Sequence, residues 1–352
     1  MNLRTRRRLW LGAATASGVA VLVVGALAPV PFVELAPGPT FNVIGEVDGK
    51  PLIDISGTQT YSTDGNLDMT TVNERGGPGN GVYLGRVIVG WADPHIRIVP
   101  RESIYPEEQT VDELQAENVR SFSDSESDST AAALSYLNRP FLTLVVVATV
   151  VDGTPADGKL EPGDQIVQVD GTVVKAPADV TAAMSKVAPG QTVVVKVRRS
   201  GKGLLDESIV TTTNPKDPTR AFLGISVGEV YQAPFHLEFT LGGVGGPSAG
   251  MMLSLGIIDK LTPGELNGGK FVAGTGTISP DGSVGPIGGI EQKMTGARRA
   301  GATLFLAPVD NCGDVVRDGI PAGLTVAKVS TLAEAVSAVE AYVAGKPVTP
   351  CS

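Results

Sequence analysis

The chain has 352 residues, enough for two or three domains and a sizeable core. Its composition, 42% hydrophobic and 18% charged, is that of a folded protein and excludes a disordered one. The net charge of -9 at pH 7 argues against nucleic acid as the main partner.

The acidity is unevenly placed. Arg4, Arg6, Arg7 and Arg8 precede the first acidic residue, Glu34, and Leu9 to Phe32 carries no charge. About 20 apolar residues suffice to cross a bilayer as a helix. The expectation is a cytoplasmic tail over 1–8 and a transmembrane anchor over 9–32. The arginines stay inside, so the C-terminal bulk of this single-pass protein of the cell membrane faces out of the cytoplasm. A cleaved signal peptide is the alternative, because Ala26-Leu27-Ala28 is an A-x-A string. Against cleavage, the run exceeds the ~7–15 residues of a signal-peptide core. Pro29 would also follow the cut. Cys312 and Cys351 are the two cysteines. In an oxidising compartment they suggest one bridge, tying the C-terminal tail to the last domain. Two cysteines and two histidines (His95, His236) show no metal-ligand spacing.

In chain order, residues 33–47 read as an extended, proline-containing stalk. Residues 51–99 read as short strands and turns, with Asn66 to Val72 alternating as a strand does. Thr110 and Glu113 form a capping-box pattern that starts a helix. It runs to Leu137, with a break expected in the serine-rich, acidic stretch 121–129. Leu142 to Val151 is a β-branched run, expected as a buried strand.

Asp152 to Gly171 contains Gly158-Lys159-Leu160-Glu161-Pro162-Gly163-Asp164-Gln165-Ile166 and ends in Val169-Asp170-Gly171. This stretch resembles a PDZ domain, with a helix (Ala178 to Val187) and a strand (Gln191 to Arg199) behind it. The resemblance implies a small, partly open β-barrel with helices over 140–213. Such a barrel takes an extended peptide as an added strand. The glycine-bearing loop that would hold a peptide carboxylate is not visible before Val145. A spacer or a binder of internal segments is therefore also open.

Asn214 to Pro218 reads as a linker, and Ala221 to Val230 as a strand of the next domain. A glycine-rich stretch then carries Gly246-Pro247-Ser248-Ala249-Gly250, a G-x-S-x-G string that runs into an apolar helix. That pattern displays a nucleophilic hydroxyl on a sharp turn. An α/β-hydrolase would need a histidine after the serine, and none follows Ser248. A buried, neutral lysine can take the proton instead. Lys293 is the candidate, one turn inside a helix that ends at Ala300 with Gly301 as its C-cap. Gly274 to Lys293 reads as a hairpin, then a turn, then the start of that helix, Leu304 to Pro308 as a buried strand and Leu332 to Val343 as a helix.

The pairing of G-P-S-A-G with the lysine of Pro286-Ile287-Gly288-Gly289-Ile290-Glu291-Gln292-Lys293, 45 residues on (293 − 248), resembles the proteolytic domain of Lon-type serine peptidases. The whole arrangement resembles membrane-anchored, PDZ-containing Lon-like proteases of Gram-positive bacteria. The implied fold class is α+β: a transmembrane helix, a PDZ domain, and a Lon-type α+β domain over 33–139 and 214–352, into which the PDZ module is inserted. The resemblance implies Ser248 as nucleophile, Lys293 as general base and Thr275 as orienter of the lysine. Backbone N–H groups of Gly246, Ser248 and Ala249 are the expected oxyanion donors. Many Lon enzymes have an acid three residues before the serine, where this chain has Gly245.

No cofactor is implied. The Gly-Lys pairs are nowhere followed by the Ser or Thr of a Walker A string, so no ATP site is expected. The expected partners are protein or peptide substrates, with a homo-hexamer implied by resemblance alone. The expectation is an ATP-independent endopeptidase of loose or unfolded segments outside the cytoplasm. The alternative is a non-catalytic PDZ scaffold at the cell surface.

Overall fold

The structure is a computed structural model that describes residues 10, 15–17, 20, 23–77, 81–105, 110–241 and 245–352. Most of residues 1–22, where the expected tail and anchor fall, lie outside the described residues. Among the described residues, no helix is long and apolar enough to cross a membrane. The chain divides into two compact units, Met1–Tyr136 with Leu237–Ser352, and Leu137–His236.

The first unit opens with strands β1 (Pro29–Val30) and β2 (Phe32–Asn42). The end of the expected anchor and the start of the expected stalk are thus folded into the body. The reason is side-chain burial: Val33 and Glu34 are fully buried, and Glu34 is gripped by Arg86 at 2.5 and 2.6 Å. Strand β3 (Asn66–Arg75) pairs antiparallel with β2, with an irregularity between Pro37 and Thr40 where proline interrupts the ladder. Strand β4 (Val82–Tyr83) pairs with β1 and leads directly into helix α1 (Leu84–Ala92). Edge strand β5 (Arg97–Pro100) pairs with β2.

Helix α2 (Val111–Tyr136) is continuous through 121–129, against the expected break. Its capping box is formed: Glu113 accepts from the Thr110 N–H at 2.8 Å, and Thr110 Oγ accepts from the Glu113 N–H at 3.3 Å. The serines of this stretch are not uniformly solvated: Ser123 is exposed, and Ser121 and Ser127 are half-buried. Ser125, Ser129, Thr130 and Ala131 to Ala133 are buried. Ser129 and Thr130 hydroxyls donate to the carbonyl of Glu126, so the polar side chains are satisfied within the helix.

The second unit holds strands β6 (Leu142–Val150) and β7 (Gln165–Val169), helix α3 (Pro177–Met184), and strands β8 (Thr192–Arg199), β9 (Gly203–Val210) and β10 (Ile225–Gln232). Sheet order is β9-β8-β7-β6-β10. The unit runs on to His236, past the expected end at 213, because β10 pairs antiparallel with β6 over Ile225–Gln232. The expected linker 214–218 is the tip of a hairpin, Thr212–Asn214 with Asp217–Phe222. Strand β6 alternates rather than being buried throughout: Val145 and Val147 enter the core with Ile166, Val195 and Ile209.

Back in the first unit follow α4 (Gly250–Leu261), β11 (Phe271–Gly274), and the hairpin β12 (Thr277–Ile278) with β13 (Val284–Gly285). Helix α5 (Ile290–Ala300), strand β14 (Leu304–Pro308), helix α6 (Cys312–Asp318), strand β15 (Thr325–Val329) and helix α7 (Leu332–Val343) complete it. The sheet order is β15-β14-β11-β3-β2-β5, with β15, β14, β11 and β3 parallel. All five residues of β14 are buried, as expected of a parallel strand covered on both faces. Ala273, Phe305 and Ala307 point at Ile290, Met294 and Ala297 of α5. On the opposite face, Gly274 lies against Met252 of α4. Helix α4 is buried all round apart from Lys260, lying between this sheet and α2. Cys312 and Cys351 are bonded to each other, tying α6 to the chain end.

Candidate active site

Ser248 lies on a single 3-10 turn, Pro247–Ala249, between Gly246 and α4. Gly246 has φ 88°, a conformation that favours glycine. The turn is held from two sides. From α2, Ser125 Oγ donates to the Pro247 carbonyl at 3.2 Å, and the Asn118 carbonyl accepts from the Gly246 N–H at 3.2 Å. From the loop after β11, the Gly276 N–H donates to the Ser248 carbonyl at 3.0 Å, and the Gly276 carbonyl accepts from the Met251 N–H at 3.1 Å. Close approach also explains the last glycine of the motif. A Cβ on Gly250 would sit 2.5 Å from Ile278 Cγ2 and 2.8 Å from Ser125 Oγ.

Lys293 reaches this turn because of its position on α5. Ile290, Met294 and Ala297 form the buried face of that helix, and Lys293 falls within it, 3% exposed. Its Nζ lies 2.7 Å from Ser248 Oγ and 3.0 Å from Thr275 Oγ1. Burial pulls its pKa down from the ordinary lysine value to about 7, since a charged amine loses its hydration there. Thr275, fully buried, donates its one hydroxyl hydrogen to the Ser248 carbonyl at 3.0 Å. It therefore meets Nζ as an acceptor, and a neutral amine is left with its lone pair free for the serine hydroxyl.

One sequence expectation at the site is changed by the geometry, and two others gain a structural context. The Gly246 N–H is spent on Asn118, so Gly246 is not an oxyanion donor, which leaves the amides of Ser248 and Ala249. The missing acid at Gly245 has no room for a side chain: a Cβ there would lie 2.9 Å from Asn118 Cβ. Neither His95 nor His236 lines the cleft at Ser248. Asn118 and Ser125 are site residues that sequence reasoning missed. The only signal was the four-residue spacing of the small residues Ser125 and Ser129.

A cleft of about 1080 Å³ passes Ser248 and Lys293. One wall is β3, from Met69 to Glu74; another is Pro286 to Gly289 before α5. Strand β11 pairs with β3 only from Asn66 to Met69. Beyond Met69, no described strand pairs with that edge of β3. Among the described residues no cluster of His, Cys, Asp or Glu could hold a metal ion.

The second unit has its own groove, about 210 Å³, between α3 (Val180, Thr181, Met184) and the start of β10. A glycine-bearing turn, Phe222-Leu223-Gly224-Ile225, lines this groove. Gly224 has φ 86°, and a Cβ on it would collide with the side chain of Thr154.

The sequence matches the Lon protease (S16) C-terminal proteolytic domain family over residues 164–341 and the PDZ domain family over residues 118–207. Lon protease 1 of Bacillus subtilis is 29% identical over 182 residues, 50% of this chain and 23% of that protein. Lon protease 2 of Herpetosiphon aurantiacus is 38% identical over 116 residues, 32% of this chain and 14% of that protein. The chain thus spans under a quarter of the length of either relative. Among solved structures, the PDZ domain of an SdrC-like protein from Listeria monocytogenes is 26% identical, with a TM-score of 0.22, over 24% of this chain and 85% of that one.

Proposed function

Because this chain belongs to the Lon protease (S16) C-terminal proteolytic domain family, we propose that it is a serine endopeptidase working through a Ser248–Lys293 dyad. The observation that carries the reading is the 2.7 Å approach of Lys293 Nζ to Ser248 Oγ in a buried setting. The neutral amine takes the hydroxyl proton as Oγ attacks the scissile carbonyl. The amides of Ser248 and Ala249, at the start of α4, face the developing oxyanion, where the helix dipole also favours negative charge. The ammonium of Lys293 then returns the proton to the leaving amine. Water releases the acyl group by the same steps in reverse roles. Thr275 orients the amine throughout.

The substrate lies as an extended segment along the open edge of β3, Thr70 to Glu74. There it can pair with backbone groups that no described strand uses. The groove of the second unit selects substrates, with the Leu223-Gly224 loop available to a peptide carboxylate. The chain carries no Walker A string, which supports ATP-independent cleavage of loose or unfolded segments rather than of stable domains. The uncharged run 9–28 supports a membrane anchor with the catalytic unit outside the cytoplasm. The hexamer rests on resemblance only.

The test is cleavage of an unstructured protein by the full chain carrying Ser248→Ala or, separately, Lys293→Ala. Both are expected to lose activity by orders of magnitude. Unchanged cleavage in either would remove the dyad.

A further inference from the structure

Helix α1 presents an apolar face that is mostly exposed among the described residues, with the ring of Trp91 set edge-on against Phe32 at 6.1 Å. Ile88 is 54%, Val89 60% and Trp91 63% exposed, and Tyr83 just before the helix is 54% exposed. Val87 and Gly90 face inward; a Cβ on Gly90 would lie 2.7 Å from Ile98 of β5. The one charged residue of α1, Arg86, is turned onto the buried Glu34. Arg86 keeps 43% of its side chain exposed, but its charge is paired with Glu34, so the outward residues Ile88, Val89 and Trp91 form an apolar face with no charge of their own. A soluble surface rarely tolerates such a contiguous patch without a partner.

The location of the face points to its partner. The end of the charge-free N-terminal run packs on the start of α1. The Leu84 N–H donates to the Ala28 carbonyl at 2.9 Å, and Gly85 lies against Ala26. Strands β1 and β4, immediately beside these contacts, pair Pro29 with Tyr83 and Val30 with Val82. Val23, Val24 and Leu27 at the root of the run are exposed too, at 52%, 70% and 59%. Whatever covers those residues borders α1. Upstream of them the apolar run continues back to Leu9.

We propose that α1 lies in the head-group layer of the lipid bilayer, with Ile88, Val89 and Trp91 inserted at the acyl boundary. The inference rests on the anchor reading above and adds to it a second membrane contact. Tryptophan suits this position, having an apolar ring body and an N–H that stays wet. An apolar helix face seated in this way enters roughly 5–10 Å below the surface. Because the face carries no charge, binding is insensitive to salt and to head-group charge. The contact also orients the catalytic unit. Strand β5, packed on α1 through Ile98 and Gly90, supplies Arg97 and Val99 to the active-site cleft. A single flexible tether would leave the cleft free to tumble; two contacts hold it at a set height above the membrane.

The chain contains two tryptophans, Trp10 in the N-terminal run and Trp91 on α1. This permits a direct test on the full chain reconstituted in phosphatidylcholine vesicles. The variant Trp10→Phe leaves Trp91 as the sole indole reporter, and Trp91→Phe leaves Trp10. Lipids brominated near the head group should quench Trp91 at least roughly twofold more than lipids brominated near the chain ends. Adding Val89→Asp to the Trp10→Phe chain should reduce that quenching, and Trp10 should stay quenched when the same change is made with Trp91→Phe. Quenching of Trp10 with none of Trp91 would overturn the proposal and keep the anchor. Trp91 shielded from lipid but cross-linked to a second copy would also overturn it. Failure of both indoles to be quenched would sink the anchor reading and, with it, this inference.

Discussion

Lys293 Nζ stands 2.7 Å from Ser248 Oγ, although the two residues come from different helices and 45 positions apart. Their meeting depends on two local features. Gly250 lets the serine turn sit against Ser125 and Ile278. The helical phase of Lys293, between Ile290 and Ala297, puts an amine where the helix would otherwise carry an apolar side chain.

The pH profile follows from that burial. Lys293 is neutral in the folded protein above about 7. The rate constant kcat/KM for an unfolded substrate should therefore rise with pH through a midpoint near 7 and then level off. A profile flat from pH 6 to 9 would contradict a lysine base of this kind.

The same shift has a sign for stability. Between about 7 and the ordinary lysine value, the unfolded chain holds a proton on Lys293 that the folded chain lacks. Stability contributed by this group thus rises with pH across that window and is lowest at and below its start. Lys293→Met removes the penalty. The variant should be inactive yet more stable than the parent at pH 7, by on the order of a few kcal/mol, with the gap closing towards pH 10. Melting curves at pH 7 and pH 10 measure this. A destabilised variant at pH 7 would mean that the amine is charged and paired in the folded state.

Thr275→Val should lower kcat/KM roughly 10–100-fold, since the amine loses the group that directs its lone pair. The threonine hydroxyl accepts from Nζ, so its removal disfavours the protonated amine. The pH midpoint should move down, not up. Thr275→Ser should restore most of the rate. An upward shift, or no rescue by serine, would assign Thr275 a packing role only.

Helix α2 should matter to catalysis at a distance from any substrate. Gly250→Ala places a methyl against Ile278 and Ser125 and is expected to cost about 1–3 kcal/mol. Ser125→Ala removes the donor to the Pro247 carbonyl, which should cost about 1 kcal/mol and slow cleavage several-fold with the pH midpoint unchanged. Parallel melts and rates separate the two effects. Full activity in Ser125→Ala would show that the turn needs no brace from α2.

The Cys312–Cys351 bond closes a loop with a sequence separation of 39. Cys351→Ser should destabilise the unit by about 2–4 kcal/mol under oxidising conditions, and a reductant should bring the parent to the same melting point. Equal melting of parent and variant without reductant would show that the bond does not form.

The pairing of Ser248 with Lys293 was legible only through the resemblance of the two motifs taken together, and the structure brings the two side chains within 2.7 Å. Ser248 lies two residues after Gly246 on a turn, and Lys293 lies on a helix bounded by Gly289 and Gly301. What surrounds the dyad was less legible. The stretch 121–129 looks polar and solvated in composition. Yet two of its serines, Ser125 and Ser129, are buried small residues on the face that approaches α4, with Ser254 Oγ donating to the Ser129 carbonyl at 3.2 Å. A composition argument weighs polarity and misses size. The second unit's boundary was misplaced for another reason. Strand β10 pairs with β6 about 80 residues before it, and nothing local in Ile225 to Gln232 distinguishes that pairing from a strand of the other unit. Pro37 and Pro39 suggested a stalk, whereas β2 accommodates them at an irregularity in its ladder.

The central claim is that Ser248 is a nucleophile activated by a neutral Lys293. The most direct measurement is covalent labelling of the full chain with a serine-reactive probe, mapped by mass spectrometry from pH 5.5 to 9. The account expects modification at Ser248, a rate that rises through pH 7, and loss of labelling in Lys293→Met although Ser248 is still present. Absence of label on Ser248 at every pH, or equal labelling of the Lys293→Met chain, would contradict it.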